Sequence, residues 1–259
     1  MTEPEIISLI NNSYNVLRMQ KDLSPNNEVV NKTLSRLVLN LIDKTNTPSS
    51  EILNNEKVKP YVCAIRDFCQ RAECEMEKFW AKYFANKKNS SYEDLKEFWY
   101  YEQYYQISKE ENGFLNKHCP SASNIAFVGS GPLPMTGIML SHMRGAKVDL
   151  IDIDRNAIDM SCKMCEGRCE NMSFICKSAV EVDYSKYDAV FVASMVRGKE
   201  ELMDKLYKDG VEFVVIRDAS GFSELFYEKL DDYIFDKYKI KDSMAANGAT
   251  INSSYLLSL

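Results

Sequence analysis

A chain of 259 residues, 45% of them apolar, is long enough to bury one large core or two modest ones. Its net charge of -6 and pI near 5.2 exclude a broad nucleic-acid footprint, which needs a clustered surplus of Lys and Arg. No apolar run is long enough to span a bilayer, and the opening Met1-Thr2-Glu3-Pro4-Glu5 lacks the positive segment of a signal peptide. A cytoplasmic protein with no membrane and no nucleic-acid partner is therefore expected, its eight cysteines reduced.

Up to about residue 118 the apolar positions recur at helical spacing. Ile6, Ile7, Leu9, Ile10, Tyr14 and Leu17 line a first helix. Ser24 and Pro25 offer a cap and a first-turn proline for a second helix that carries Val29, Val30, Leu34, Leu37 and Leu41. Thr45 to Ser50 reads as a polar loop. A third helix is expected from about Pro60 to Ala85, then a spacer from Asn86 to Ser90. A fourth starts near Ser91, whose spacing to Asp94 is a capping-box variant, and passes through Tyr105.

From residue 124 the pattern changes to short β-branched runs separated by helical stretches, as a doubly wound sheet requires. Strands are expected at Asn124 to Val128, Lys147 to Ile153, Ser173 to Cys176, Ala189 to Ser194, Phe213 to Arg217 and Ser254 to Leu257. The predicted architecture is α/β: an all-α N-terminal domain over residues 1–118, then a Rossmann-like domain with a mostly parallel sheet over residues 119–259.

The first of these strands runs into Gly129-Ser130-Gly131, where glycines permit a sharp turn and a close backbone approach to a ligand. About 20 residues on, the second strand ends in Asp152 and Asp154, either of which is placed to hold a ribose. The third glycine of the dinucleotide fingerprint is missing. Pro132-Leu133-Pro134 is expected to occupy the start of the next helix, where the prolines stiffen the loop and remove two backbone donors that a pyrophosphate would want. The loop thus suits a nucleoside without phosphates, and S-adenosylmethionine (SAM) is the common one.

At this point a family likeness becomes specific. Val128-Gly-Ser-Gly-Pro-Leu-Pro-Met-Thr136 resembles the signature of the nicotianamine synthases, and Phe98 to Glu111, Asp188 to Val196, Val214 to Gly221 and Ile251-Asn252-Ser253 resemble other segments of that family in the same order. The likeness covers about residues 60 to 259. It implies a SAM-binding Rossmann-like domain behind a helical one, with SAM contacted by Gly129, Ser130, Gly131, Pro132, Leu133, Thr136, Asp152, Asp154 and Ser194. It also implies transfer of the 3-amino-3-carboxypropyl group of SAM to an amine, releasing methylthioadenosine and building a metal chelator, with no metal required. The acceptor would be a small amino acid; a homodimer is compatible with the chain.

An acceptor amine is protonated at neutral pH, so a base or a desolvating pocket must free its lone pair. Histidine is nearly excluded, because the chain has only His118 and His142. Glu73 and Glu77, spaced i, i+4, share one face of the third helix. The likeness to the family points to Glu77 as the base, with Glu73 second. Rings at 98, 99, 100, 101, 104 and 105 surround most of the fourth helix, more than one core-facing stripe can use, so some face a cavity or a partner. Tyr104 and Tyr101 match family tyrosines, Tyr104 as the residue that orients the amine and Tyr101 as a substrate contact; Asn252 is expected to bind substrate too. Arg217, at the carboxyl edge of the fifth strand, could clamp an α-carboxylate or pair with a neighbouring Asp. Cys162, Cys165 and Cys169 are expected to share a helical face as reduced thiols rather than to hold a metal or cluster. Two competitors remain at this stage: a SAM-dependent small-molecule methyltransferase, and a non-catalytic sensor.

Overall fold

The computed structural model describes residues 1–42, 48–87 and 91–259. Helix α1 (Glu3–Leu17) buries Ile6, Leu9, Ile10 and Leu17 along one stripe, as their spacing dictates. Helix α2 (Glu28–Leu41) starts three residues later than Ser24-Pro25 would place it, because Asn27 caps it instead: its Oδ1 accepts from the Val29 and Val30 amides. Ser24 and Pro25 form the preceding turn, which the Asn27 Nδ2 ties down by donating to the Asp22 carbonyl. Of the expected loop over residues 45–50, residues 45–47 lie outside the described residues. Ser49 and Ser50 open a short helix, α3 (Ser49–Asn54), which forms because Ile52 and Leu53 have a core to enter.

Helix α4 (Lys59–Asn86) is the longest, at 28 residues or about 42 Å. The spacer expected after it falls largely on residues 88–90, outside the described residues. From Ser91 the chain does not run as one helix. A 3-10 turn (Tyr92–Glu97), begun by the Asp94 carboxylate accepting from the Ser91 amide, is followed by an extended Phe98 and only then by α5 (Tyr101–His118). The break lets Phe98, 1% exposed, drop between Trp80, Tyr100 and Tyr104, whose rings pack within about 6 Å of it. The apparent surplus of rings on the fourth helix is partly resolved by this, since three of the six precede α5.

Among the described residues the sheet has seven strands in the order β3-β2-β1-β4-β5-β7-β6. Strands β1 (Asn124–Val128), β2 (Lys147–Asp152), β3 (Met172–Cys176), β4 (Ala189–Val192) and β5 (Phe213–Asp218) run parallel, and β7 (Ser253–Ser258) pairs antiparallel with β5. This is a Rossmann-like arrangement whose strand order reverses between β1 and β4. Strand β6 (Lys239–Met244) had no counterpart among the expected strands: as an edge strand it carries Lys239, Lys241 and Asp242 and leaves Ile240 half exposed, so it shows no apolar run. Helices α6 (Met135–Arg144), α7 (Arg155–Cys165) and α8 (Lys199–Lys208) connect the parallel strands. Gly137 lets α6 lie against β2, since a Cβ there would come within 2.5 Å of the Leu150 side chain.

The helical half is stitched to the sheet. Cys69 and Ile65 of α4 share one core with Phe222 and Leu225, and Ala81 and Phe84 share another with Met135, Ile138 and Met164. At the junction the Arg144 guanidinium donates to the Ala122 carbonyl at 3.0 Å, to the Pro120 carbonyl, and to the side chains of Asn112 and Asn116 on α5. His118 at the end of α5 sits 3.0 Å from the Asp242 carboxylate on β6. Replacing Arg144 with Met strips the junction of these charge-assisted bonds. The expected loss is about 2–3 kcal/mol of unfolding free energy by urea denaturation.

Candidate active site

The carboxyl ends of β1, β2, β4 and β5 lie at one edge of the sheet, and because β7 is antiparallel its beginning arrives at the same edge. Helices α4 and α5 cover that edge. Between them lies a cavity of about 900 Å³. Its walls include Glu73 and Glu77 from α4, Tyr104 from α5, Gly129 to Leu133, Thr136 and Asp152 with Asp154, and then Ser194, Arg217 and Asn252. Each site residue expected from the sequence is there except one. Tyr101 points away, stacking on Tyr105 with its hydroxyl 3.5 Å from that of Tyr92, and so contributes to the packing of α5 on the 3-10 turn. Trp99, Tyr100 and Gln103 line the cavity instead.

Gly131 holds φ at +64°, and its amide donates to Asp152 Oδ2 at 2.9 Å, which draws the end of β2 onto the loop. The other oxygen of Asp152 accepts from the Asp154 amide, and Asp154 in turn caps α7 through the Asn156 amide. Asp152 is thus the buttress of the glycine loop, while Asp154 is a helix cap at the rim. A carboxylate has about four lone-pair directions, so Asp152 keeps capacity for a ribose hydroxyl. Pro132 and Pro134 precede α6 rather than occupy its first turn, because the helix starts only at Met135. The Ser130 hydroxyl is buried on the cavity wall with no protein partner.

Glu77 lines the cavity from α4. It is 7% exposed, and a Cβ on Gly131 would lie 2.6 Å from its Oε2, so the carboxylate occupies the place that the missing side chain leaves. The Tyr104 hydroxyl donates to Glu77 Oε1 at 3.1 Å. Burial pushes the Glu77 carboxyl well above the usual range, and the nearby Glu73 and Asp152 charges push the same way. One turn back on α4, Glu73 is also raised by burial and accepts from the Tyr227 hydroxyl at 2.8 Å. Burial raises both phenols as well, so they act as donors. The site therefore holds two carboxylate–phenol pairs on one helix face.

Arg217 does not present a free clamp. Its Nε and Nη2 make a bidentate pair with Glu111 of α5, both at 2.8 Å, and Nη2 also donates to Thr136 at 2.9 Å. The partner is a glutamate from the helical half rather than a neighbouring Asp, and Ser254 donates to the same carboxylate. Beyond β4, Lys199 donates to the Ser194 carbonyl at 2.9 Å, and Asn252 donates to the Ser194 hydroxyl at 2.7 Å. Burial lowers the Lys199 ammonium to about 8. Tyr227, Glu111 and Lys199 went unnamed from the sequence as site residues. Tyr227 and Glu111 acquire their roles through packing between distant segments, whereas Lys199 reaches back only five residues to Ser194 and carries no motif spacing that marks it.

The histidines stand apart from this chemistry, His142 stacked on Tyr92 at 3.9 Å and His118 paired with Asp242. The cysteines do not share a helical face: α7 ends at Cys165, and the turn through Gly167, at φ +75°, carries Cys169 beyond it. Among the described residues no three His, Cys, Asp or Glu side chains gather in a way that could hold a metal ion. Nor, among them, is any helix long and apolar enough to cross a membrane.

A family model described as "Nicotianamine synthase protein" matches residues 2–257. Nicotianamine synthase 2 of Arabidopsis thaliana is 25% identical over 264 residues, covering 96% of this chain and 82% of that protein. Nicotianamine synthase 9 of Hordeum vulgare is 26% identical over 246 residues, covering 89% and 71%. Among solved structures, a glutamate-to-glutamine variant of MtNAS in complex with S-adenosylmethionine superposes with a TM-score of 0.86 at 19% identity, over 97% of both chains. MtNAS in complex with MTA and tNA superposes with a TM-score of 0.86 at 20% identity, covering 97% of this chain and 96% of that one.

Gly131→Ala should force Glu77 out of its seat and strain the φ +64° turn; the expected result is SAM affinity reduced at least tenfold, read by calorimetry, with the fold retained by circular dichroism. A second outcome concerns pH. A carboxyl raised on folding stabilises the fold below its unfolded value of about 4.5 and loses that contribution as pH rises through the folded value. Glu77→Gln should therefore raise Tm above that of the parent protein at pH 8, and the gap should shrink at pH 5.

Proposed function

The chain belongs to the nicotianamine synthase family, and from that premise we propose that it transfers the 3-amino-3-carboxypropyl group of SAM to the amine of a small amino-acid acceptor, releasing methylthioadenosine. The observation that carries this is the buried Glu77–Tyr104 pair set against the glycine loop. The walls fit the adenosyl ligand: Gly129 and Gly131 hold the positive φ of the turn beneath it, Asp152 retains acceptor capacity for its ribose, and the unpartnered Ser130 hydroxyl needs a ligand atom. Bound there, SAM supplies a γ-carbon activated by its sulfonium, and the electrons of the breaking carbon–sulfur bond leave with methylthioadenosine.

The rest is work for the chain's own residues. An amine of pKa about 10 and an ordinary carboxylate of about 4.3 differ by roughly 6 units, so proton transfer between them costs about 8 kcal/mol. Burial and the Glu73 charge raise Glu77 towards the amine, narrowing that gap. Tyr104 fixes the carboxylate in one orientation by donating to Oε1, leaving Oε2 to take the proton while the nitrogen lone pair forms the new bond to carbon. Glu73, held by Tyr227, faces the same space and holds a second cationic group. Aromatic rings from Trp99, Tyr100 and Tyr104 suit both a sulfonium and an ammonium. The division into a helical lobe over residues 1–118 and a Rossmann-like lobe over residues 119–259, a cytoplasmic location, and the absence of nucleic-acid and membrane partners belong to the same proposal.

Incubation with SAM, alone and with glutamate or histidine, should release methylthioadenosine and yield a product heavier than the acceptor by one or more aminocarboxypropyl units, identified by mass spectrometry. Release of adenosylhomocysteine with a methylated product would overturn the proposal. Glu77→Gln should lower turnover at least a hundredfold while leaving SAM affinity within threefold of the parent protein.

A further inference from the structure

Glu73 and Glu77 stand one turn apart on the same face of α4, and both line the cavity, Glu77 buried and Glu73 half-buried. Neither makes an ion pair among the described residues. Glu77 accepts from the Tyr104 hydroxyl at 3.1 Å and Glu73 from the Tyr227 hydroxyl at 2.8 Å, and a phenol brings no charge. The groups around the pair do not supply one either. Tyr104 also faces Glu73, Tyr100 stands just before α5, Cys69 and Cys74 of α4 flank the two acids as thiols, and Asp152 beyond the glycine loop adds a like charge. Arg217 of β5 is near enough for Glu73 to feel it, but its Nε and Nη2 are bound to Glu111, both at 2.8 Å. Lys199, the other buried cation among the described residues, lies behind β4 on the Ser194 carbonyl, within reach of Asp218 and Glu228. Lys78, Lys177 and Arg197 also line the cavity, but Lys78 is partly exposed and paired with Glu75, and Lys177 and Arg197 are exposed to solvent.

We propose that Glu73 and Glu77 work as one proton-sharing pair that gives up a proton to solvent when the sulfonium of SAM enters, so that the substrate itself arms the base. The inference rests on the aminocarboxypropyl transfer proposed above and adds Glu73 to it as the residue through which the site reads the charge on sulfur. Two carboxylates so close in a cavity repel each other and lack a counter-charge, so the free pair keeps a proton that either acid would lose in water. Burial raises both carboxyls, and the charge of Glu73 raises Glu77 further. A sulfonium carries one positive charge and no proton. Its arrival offsets one carboxylate and expels one proton. The pair then takes a proton from the acceptor's ammonium as the nitrogen lone pair forms the bond to carbon, and the electrons of the breaking carbon–sulfur bond leave on the sulfur of methylthioadenosine. That product is neutral, so it loses the charge attraction as it forms, and the pair is back in its starting protonation state.

The test is titration calorimetry of the full chain with SAM and with S-adenosylhomocysteine, which keeps the amino-acid tail and lacks only the methyl group and its charge. It is run at about pH 6.5, where the amine of either ligand is protonated, in buffers of low and high ionisation enthalpy. The dependence of binding heat on buffer should show about one proton released per SAM and none per S-adenosylhomocysteine. SAM affinity alone should climb as pH rises above about 5, by up to tenfold per unit. Glu73→Gln and Glu77→Gln should each at least halve the release without weakening SAM more than threefold, because the carboxyl that remains, freed of its neighbour's charge, meets the sulfonium already ionised. The double variant should release no proton and lose at least tenfold of the preference for SAM over S-adenosylhomocysteine, whose own affinity, unchanged, is the check on folding. Equal proton release with both ligands in the parent protein overturns the proposal, as does release that survives in the double variant. SAM that binds and yields methylthioadenosine without expelling a proton overturns this inference alone; SAM that does not bind removes the transfer reaction with it.

Discussion

The site depends on one interlock, the Glu77 carboxylate seated where Gly131 has no side chain. A helix from the N-terminal half and a loop from the first strand come closer there than any residue with a Cβ would allow. The interlock has two effects at once. It removes Glu77 from water, which sets its proton affinity, and it places that affinity against the turn that Asp152 holds in position. Position and basicity are therefore consequences of the same packing, and neither can be altered alone. The cores that straddle α4 and the segment after β5 supply the rigidity that keeps the carboxylate in so tight a seat.

Charge in the cavity follows a second logic. Glu73, Glu77 and Asp152 line it, while the one deeply buried guanidinium among the described residues, Arg217, is cancelled by Glu111. A buried pair of that kind is poor evidence for stability, but it removes a cation from the vicinity of a sulfonium and an incoming ammonium. Lys78, Lys177 and Arg197 also line the cavity, so the excess of carboxylate is local to Glu73, Glu77 and Asp152. The two phenols reinforce this by giving hydrogen bonds to the carboxylates, which holds the acids in place without supplying a compensating charge.

How much of this could be read in the sequence depended on range. The strands around the glycine loop and helices α1 and α4 were legible because period and composition are local properties. The break before α5 was not: Phe98 leaves the helical path to enter a cluster whose other members come from α4, and a one-dimensional pattern does not see Trp80. Strand β6 was invisible because an exposed edge needs no apolar alternation. Glu77 and Tyr104 could be nominated from a family likeness, yet Tyr101, in the same motif, faces away. The reason is the same break, which fixes the rotation of α5 about its axis and so decides which tyrosine looks inward. Arg217 could be placed at the sheet edge, whereas its partner Glu111, more than a hundred residues earlier, could not.

Cavity size bears on the chemistry as directly as charge does. About 900 Å³ is near the upper end of what small-molecule sites enclose. One nucleoside sulfonium would leave much of it vacant. A direct transfer between two molecules, however, requires both to be held together with nitrogen and carbon in line, and the gain from doing so is of order 7–11 kcal/mol in pre-organised encounter. The structure divides the space accordingly. Asp152 and the glycine loop occupy one end, the start of β7 the other, and Glu77 with Tyr104 stands between them, over the carboxyl edge of the sheet. An antiparallel last strand is what makes this possible, for only a strand running against its neighbours can begin where they end, and its first residues thereby reach the wall of the same cavity.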